Sequence, residues 1–486
     1  MFYVINQMRI ILRIISLTFA AACLVACADN DAFTTSTDNR LSFSNDTLSL
    51  DTVFSNIPSA SRSMWVYNKS GNGLRCGVRL EKGNASAFRV NIDGIYLGEA
   101  NSWQTSDMEI RAKDSVRIYV EATLPNAIGQ DPEENNDNIV FNLESGAEQK
   151  INLKAWAWNA ELLRKGLVIS KDTTIQSNTP IIIYEGLKVD SGTVLNVGAG
   201  TTLYFHNDAG IDVYGSLRCN GTAESNVVLR GDRIDRMFDY LPYDRTPGQW
   251  QGVKLHASSY GNELYHTDIH SCFNGVVADS SDTGKKKLIL SHSTIHNCQG
   301  TGLEANNINA SIINSQISNT LGDCVHISGG DIDINGSTIA QFYPFDGMRG
   351  MALRAELDKN LKRLSITNSL ITGYADNVID IAKENKNLDW QFSHCIIRTP
   401  KPMTDDSTRM ANVFFENVKD TTSMGIKHFK NIDTDNLIYD FHLSDKSAAI
   451  DKADPATSPM DDHDSTKRDE KPDIGAYENT KKEQND

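Results

Sequence analysis

The sequence predicts an all-β chain, an antiparallel β-sandwich followed by a right-handed parallel β-helix. Three observations carry that prediction. Residues 41–158 hold short alternating runs such as "SVRIYVEA" and "QKINLKAWAW", punctuated by turn residues at the interval expected of a sandwich. Beyond Glu161 the strands stay short, a Gly or Asn recurs every few positions, and no helical stretch intervenes. After Gln249 two apolar tracks share one irregular period of 22 residues or more, the mark of a solenoid.

The elements follow in chain order. "MRIILRIISLTFAAACLVAC" places basic residues ahead of an apolar run too short for a comfortable membrane span, then small residues. It ends Leu24-Val25-Ala26-Cys27, which resembles the lipobox of bacterial lipoproteins. That resemblance implies a signal peptide over 1–26, cleavage before Cys27, and acylation of Cys27. Ala28-Asp29-Asn30-Asp31 is similar to the acidic stretch that exports some Gram-negative lipoproteins to the outer face. The expectation is an outer membrane lipoprotein on the cell surface, with the periplasmic face as the alternative. Contact with the membrane is expected through the lipid alone. Met8 is a more typical start than Met1. Residues 27–40 are polar and aperiodic, a tether.

Residues 41–158 form the sandwich, and their order of strands resembles the immunoglobulin-like modules that precede larger domains in secreted bacterial proteins. The resemblance implies a spacer or docking module. Residues 159–447 form the solenoid. One track runs Ile269, Ile295, Ile317, Ile339, Ile371, Ile397, at intervals of 26, 22, 22, 32 and 26. Two residues before each stands a small side chain: Thr267, Ser293, Ser315, Ser337, Ser369, Cys395. The second track runs Val253, Val276, Leu303, Val325, Met351, Ile379. Each period has room for about three short strands, and a parallel β-helix tolerates turns of unequal length. Leucine-rich repeats need a denser leucine pattern, and propellers need longer four-strand units.

"GIDVYGSLRCNGTAESNVVLRG" followed by "PGQWQGVKL" resembles the opening rungs of right-handed parallel β-helix proteins of the pectin lyase-like superfamily. "SAAIDKADP" and "RDEKPDIGAYE" are similar to the closing segment of many such chains, here placed in residues 448–486 with a polar tail. The resemblance implies the fold over roughly 175–478; its members include lyases, hydrolases and adhesins, so it leaves the activity open.

A formal net charge of -16 disfavours nucleic acid, whose phosphates need a basic face. Of eight cysteines, Cys23 leaves with the leader and Cys27 takes lipid. Cys76, Cys219, Cys272, Cys298, Cys324 and Cys395 show no metal-ligand spacing and read as buried thiols.

Two rows of residues are candidate sites. "LYHTDIHSCFNG" and "LSHSTIHNCQG" put His266 beside His292 and His270 beside His296 on neighbouring strands, facing outward with Asp268 between them. On one strand, residues four apart lie ~13 Å from each other, so only lateral pairs can share an ion. Simple stacking is the plainer expectation, a glycan or acid-base patch the alternative, and no transition metal is expected. The second track offers Lys254, Glu304, His326 and Asp380, with Arg354 on the same face. In an enzyme, Glu304, His326, Arg354 and Asp380 would be the catalytic candidates, a lyase needing a base and a cation to neutralise a uronate. "GDCVHI" has Gly322 where pectin-type hydrolases carry a second aspartate, which counts against that activity. Tyr240 and Tyr243, on an aromatic turn with Phe238 and Trp250, offer flat faces to sugar rings. Both tyrosines are expected near the sheet of Lys254 and Glu304. "DDHDSTKRDE" could hold Ca2+ through Asp462 and Asp464, but lacks the rest of a calcium loop and reads as a solvated closing turn.

The functional expectation is a lipid-anchored envelope protein that binds extended glycans or acts in adhesion. The alternatives are a polysaccharide lyase or glycoside hydrolase, and a structural or partner-binding surface protein.

Overall fold

The computed structural model describes residues 32–480, apart from 239, 382–387, 401–403, 405 and 421–423. The motif ending at Cys27 lies outside the described residues. The chain is all-β and divides into two compact units, one running to Asn126 with Glu133–Ala157, the other made of Ala127–Pro132 and everything from Trp158 onward.

The first unit is an immunoglobulin-like sandwich of two antiparallel five-stranded sheets. One is ordered Ser42–Phe43, Arg62–Tyr67, Ser115–Ala122, Phe88–Ile92, Ile95–Leu97. The other is ordered Thr47–Phe54, Glu148–Trp158, Glu133–Leu143, Leu74–Leu80, Gln104–Ile110. Alternation sets the faces: Val116, Ile118, Val120 and Ala122 are buried while Arg117 and Tyr119 between them are exposed. Phe43 of one sheet packs on Phe141 of the other, ring centroids 5.4 Å apart. Within the polar stretch read as a tether, Phe33 already pairs with Gly73, and the Arg75 guanidinium lies 4.3 Å from its ring.

The second unit is a parallel β-helix. Its strands form parallel sheets of eleven and seventeen strands. One rung comprises Val253–Leu255, Asn262–Tyr265 and Thr267–His270; the next comprises Val276–Ala278, Leu288–Ser291 and Thr294–Cys298. Ile269, Ile295, Ile317, Ile339, Ile371 and Ile397 stand in one lateral register and are all buried. The second track is in register from Val253 to Val325, then passes through Leu353, not Met351, before Ile379. A slip of two residues keeps every side chain on its own face, so alternation alone does not separate the two choices.

The small residues beside the isoleucines do more than fit. The backbone N–H of Thr267 donates to Ser293 Oγ (3.0 Å), Ser293 to Ser315 Oγ (3.3 Å), Ser315 to Ser337 Oγ (3.2 Å) and Ser337 to Ser369 Oγ (3.2 Å). This hydroxyl ladder gives a buried backbone donor on each rung a side-chain acceptor on the next. Just before each ladder residue the chain turns a corner through a left-handed residue. His266, His292, Asn314, Gly336, Asn368 and His394 have φ of 42, 50, 47, 57, 49 and 50°. Asn and Gly are at home there, and His is among the residues that tolerate it.

The eleven-stranded sheet is covered over part of its outer face. Gln316–Thr320 and Leu370–Gly373 are buried at every position. A second core lies over them, joining Ala340, Phe342, Leu370 and Ile396 to Phe429, Phe441, Leu443, Ile474 and Tyr477 from the C-terminal segment. The seventeen-stranded sheet keeps the alternation of a half-exposed face: Leu303–Asn306 reads buried, half-buried, buried, half-buried.

Candidate functional site

The outer row of the seventeen-stranded sheet runs Lys188, Asp212, Lys254, Val277, Glu304, His326, Arg354, Asp380, one residue per rung in lateral register. Lys254, Glu304, His326, Arg354 and Asp380 therefore come together on one face. Most charges in the row are already engaged. Arg354 Nε donates to Asp323 Oδ2 at 2.6 Å, and its Nη1 donates to Asp380. These two carboxylates raise the pKa of Arg354, chiefly through the bond to Asp323. Glu304 accepts from Asn306 Nδ2 at 3.0 Å, and His326 Nε2 lies 3.4 Å from Glu356 Oε1. Lys254 Nζ is 3.9 Å from Asp279. Asp323, the aspartate of "GDCVHI", supports Arg354 from the neighbouring turn, an ion pair that the spacing alone does not reveal.

Glu304 and Asp380 stand three rungs apart, about 14 Å at the spacing of paired strands. Glycoside hydrolysis needs its two carboxylates about 5–9.5 Å apart. As a pair these two cannot serve that chemistry.

The four histidines split into two pairs with different surroundings. His270 and His296 are lateral partners, ring centroids 4.9 Å apart. His270 Nδ1 is 3.0 Å from Asp268 Oδ1, and His270 Nε2 is 3.0 Å from Asp244 Oδ1. His296 Nε2 is 3.1 Å from the same Asp268 oxygen. Burial pulls the pKa of His270 down, but the Asp268 charge and the bonds to Asp244 and Asp268 outweigh it and lift it to about 9. Burial works against the Asp268 anion, yet the two histidines hold its pKa well below the ordinary carboxylate value.

Three of the four histidines expected to face outward are buried: His270, 5% exposed, under Asp244, and His266 and His292, 2% and 7% exposed, outside the coil but under the closing segment. Ser465 Oγ is 3.0 Å from His266 Nε2, and Asp461 Oδ1 is 3.3 Å from His292 Nε2. Burial, aided by the neighbouring His292 and His463, lowers His266 to about 4. The periodicity told inside from outside the coil; it carried no information on what later covers the outside.

The closing turn is covered only in part: Asp462, His463 and Arg468 are buried, while Asp464, Ser465, Lys467, Asp469 and Glu470 are exposed. Asp462, 2% exposed, accepts backbone N–H groups from Asp464, Thr466 and Glu478 at 3.0, 2.7 and 2.8 Å. Asp464 is bound by His442 Nε2 at 2.7 Å and His463 Nδ1 at 2.9 Å. Carboxylates filled by N–H donors have little to offer calcium, so these residues do not fit that ion.

The aromatic turn departs from expectation in part. Asp244, next to Tyr243, is bonded to His270, and Ser271 Oγ donates to the Asp244 carbonyl at 2.7 Å. That holds the turn against the eleven-stranded sheet, not the sheet carrying Lys254 and Glu304. The Arg233 guanidinium sits 3.8 Å from the Tyr243 ring centroid, covering one face. Tyr240 remains free at 62% exposure, stacked on the exposed Phe238 with centroids 5.6 Å apart. Trp250 is buried, stacked on Phe205 at 4.4 Å, and its Nε1 donates to the His270 carbonyl. Cys272 and Cys298 are free buried thiols 3.4 Å apart.

Together these features define a parallel β-helix protein preceded by an immunoglobulin-like sandwich. No protein-family model matches the sequence, and no curated protein matches it. Solved structures do. The catalytic unit of a thermostable GH87 α-1,3-glucanase from Streptomyces thermodiastaticus strain HF3-3 is 11% identical over 73% of this chain and 89% of that one, with a TM-score of 0.27. Pectate lyase Pel9A is 13% identical over 66% and 88%, with a TM-score of 0.27. A family 123 glycoside hydrolase from Clostridium perfringens is 9% identical over 27% of this chain, with a TM-score of 0.18, and the chain spans 26% of that enzyme's length. The fold assignment itself rests on the strand register described above.

Proposed function

We propose that this chain is a lipid-anchored cell-envelope protein, surface-exposed on the outer membrane, whose β-helix binds an extended glycan. The row from Lys188 to Asp380 on the open sheet carries the reading. It spans eight rungs, is polar at every position but Val277, repeats at the strand spacing, and its best-placed cation, Arg354, is neutralised by two carboxylates. A lyase would need that cation free to meet a substrate carboxylate. Binding without turnover is the simpler use of such a face. The net charge of -16 favours neutral glycans over acidic ones. Anchoring rests on the motif ending at Cys27.

The test is titration calorimetry of the chain, without its leader, against a panel of neutral and acidic polysaccharides, run beside reducing-end and unsaturated-product assays. Saturable binding with no product is expected. Product formation would replace this reading with a polysaccharide lyase or hydrolase. Absence of both binding and product would leave a structural or partner-binding surface protein.

A further inference from the structure

Three ligating atoms converge away from the charged row. Asp268 and His270 leave one strand on the same face, and His296 is the register partner of His270 on the next strand. Asp268 Oδ1 lies 3.0 Å from His270 Nδ1 and 3.1 Å from His296 Nε2, and all three atoms fall within 4.8 Å of one another. A tetrahedral zinc ion with bonds near 2.0–2.1 Å sets its ligand atoms about 3.3 Å apart. Two of the three separations are already close to that value. The third, between the two ring nitrogens, lies within 4.8 Å and closes as the His296 ring turns toward the ion, His270 being held by Asp244.

The surroundings are those of a supported ligand set. The far nitrogen of His270, Nε2, is 3.0 Å from Asp244 Oδ1. A carboxylate on the second nitrogen of a histidine ligand fixes both its ring and its tautomer. Asp244 is held in turn by Arg230 Nη1 at 2.5 Å. Arg230 offsets the Asp244 charge, and the carboxylate of Asp268 is the anionic member of the ligand set, bonded here to the two imidazoles. The side chains of Asp268 and His296 are 28% and 25% exposed, which gives an ion a way in.

We propose that Asp268, His270 and His296 form a zinc-binding site across two adjacent rungs, with Asp244 as its outer carboxylate. The ion replaces the proton on His270 Nδ1, which leaves to solvent, and His296 binds through Nε2 as the tautomer with its proton on Nδ1, the Nε2 proton being exchanged through solvent. Two imidazoles and one carboxylate suit zinc, or cobalt in its place, better than calcium or magnesium. The site is independent of the glycan row, which lies on the other sheet.

The experiment uses the full chain, stripped with a chelator and dialysed against zinc. Bound metal is counted by mass spectrometry, and cobalt is added separately to read its visible absorption. About one zinc per chain is expected, with the intense cobalt bands of a tetrahedral nitrogen and oxygen site. His296→Ala and Asp268→Asn should each weaken zinc binding roughly tenfold or more. His442→Ala should leave it unchanged, although His442 and His463 flank Asp464 in a second histidine-carboxylate group. Circular dichroism melts of the metal-free variants report folding, and His296→Gln serves if the alanine variant unfolds. Lack of stoichiometric zinc in the wild-type chain would overturn the site. So would binding that survives His296→Gln and Asp268→Asn, or binding lost only in His442→Ala.

Discussion

Arg468 donates a hydrogen bond to Oδ1 of Asn314 at 3.3 Å, across 154 positions of sequence. Asn314 is one of the left-handed corner residues, so the bond ties the closing segment to the middle of the β-helix. The same guanidinium meets Glu478 at 3.0 Å and donates to the carbonyls of Asp461, Asp473 and Gly475. Both charges are buried. Arg468→Met should therefore cost about 3–5 kcal/mol, because Glu478 is left buried without its cation. Limited proteolysis should cut the variant within 447–478 before the rungs are attacked. A melting temperature equal to that of the wild-type chain would show that the pair does not hold the segment.

Ile317 stands between Ile295 and Ile339 in the inner track and is 1% exposed. Ile317→Asp would bury an unpaired carboxylate and disrupt its rung, at a cost of several kcal/mol. Chemical denaturation measures this directly. A soluble variant with an unaltered midpoint would contradict the register.

Lys287 buries its ammonium against the carbonyls of His256 and Ser259, at 2.7 and 3.0 Å, and faces the Tyr260 ring at 5.4 Å. Burial lowers its pKa from 10.5 to about 8, with Asp279 pulling the other way. Between those values the unfolded chain keeps a proton that the folded chain has lost. The contribution of Lys287 to stability thus rises with pH across that window, by up to roughly 3 kcal/mol. The stability gap between wild type and Lys287→Met should move in favour of wild type from about pH 8 to about pH 10. A constant gap would mean the ammonium stays charged.

Tyr240 and Phe238 form the exposed aromatic pair on the turn before Trp250. If a sugar ring stacks there, Tyr240→Ala should weaken glycan binding by about 1 kcal/mol without changing the melting temperature. Tyr243→Ala should instead lower stability modestly, because its ring carries the Arg233 guanidinium. In an enzyme, alanine at Glu304, His326 or Arg354 would remove turnover and spare affinity. Calorimetry beside a product assay separates the two patterns.

Cys27→Ser should abolish acylation and shift the protein from membrane to soluble fractions. Membrane attachment that persists in this variant would rule out the anchor proposed at Cys27.

The inner track was legible because interior positions obey one geometric demand on every rung, an apolar side chain at fixed register. The outer row was legible for the same reason, one residue further on, and it gathers Lys254, Glu304, His326, Arg354 and Asp380 correctly. Met351 and Leu353 satisfy the same alternation, so the repeat alone does not separate them, and the lateral register selects Leu353. The covering of His266 and His292 was not legible: it depends on Asp461 and Ser465, residues that have no place in the repeat. Asp244 escaped notice likewise, since it reaches His270 from a turn that belongs to no rung. Periodic sequence reports periodic structure, and in this chain the contacts that single out particular rungs come from aperiodic segments.

The closing segment bears on how the β-helix comes apart. A bare stack of rungs is a linear array with nearest-neighbour coupling, free to fray from either end. Here Ser465 bonds to His266, Asp461 to His292 and Asn314, Ala476 to Thr338, and Gly475 to Asn368, on successive rungs. One strap thus couples rungs that never touch each other. It should turn gradual fraying into a single concerted loss, and because the strap follows in the chain every rung that it binds, those rungs must wait for it before they lock.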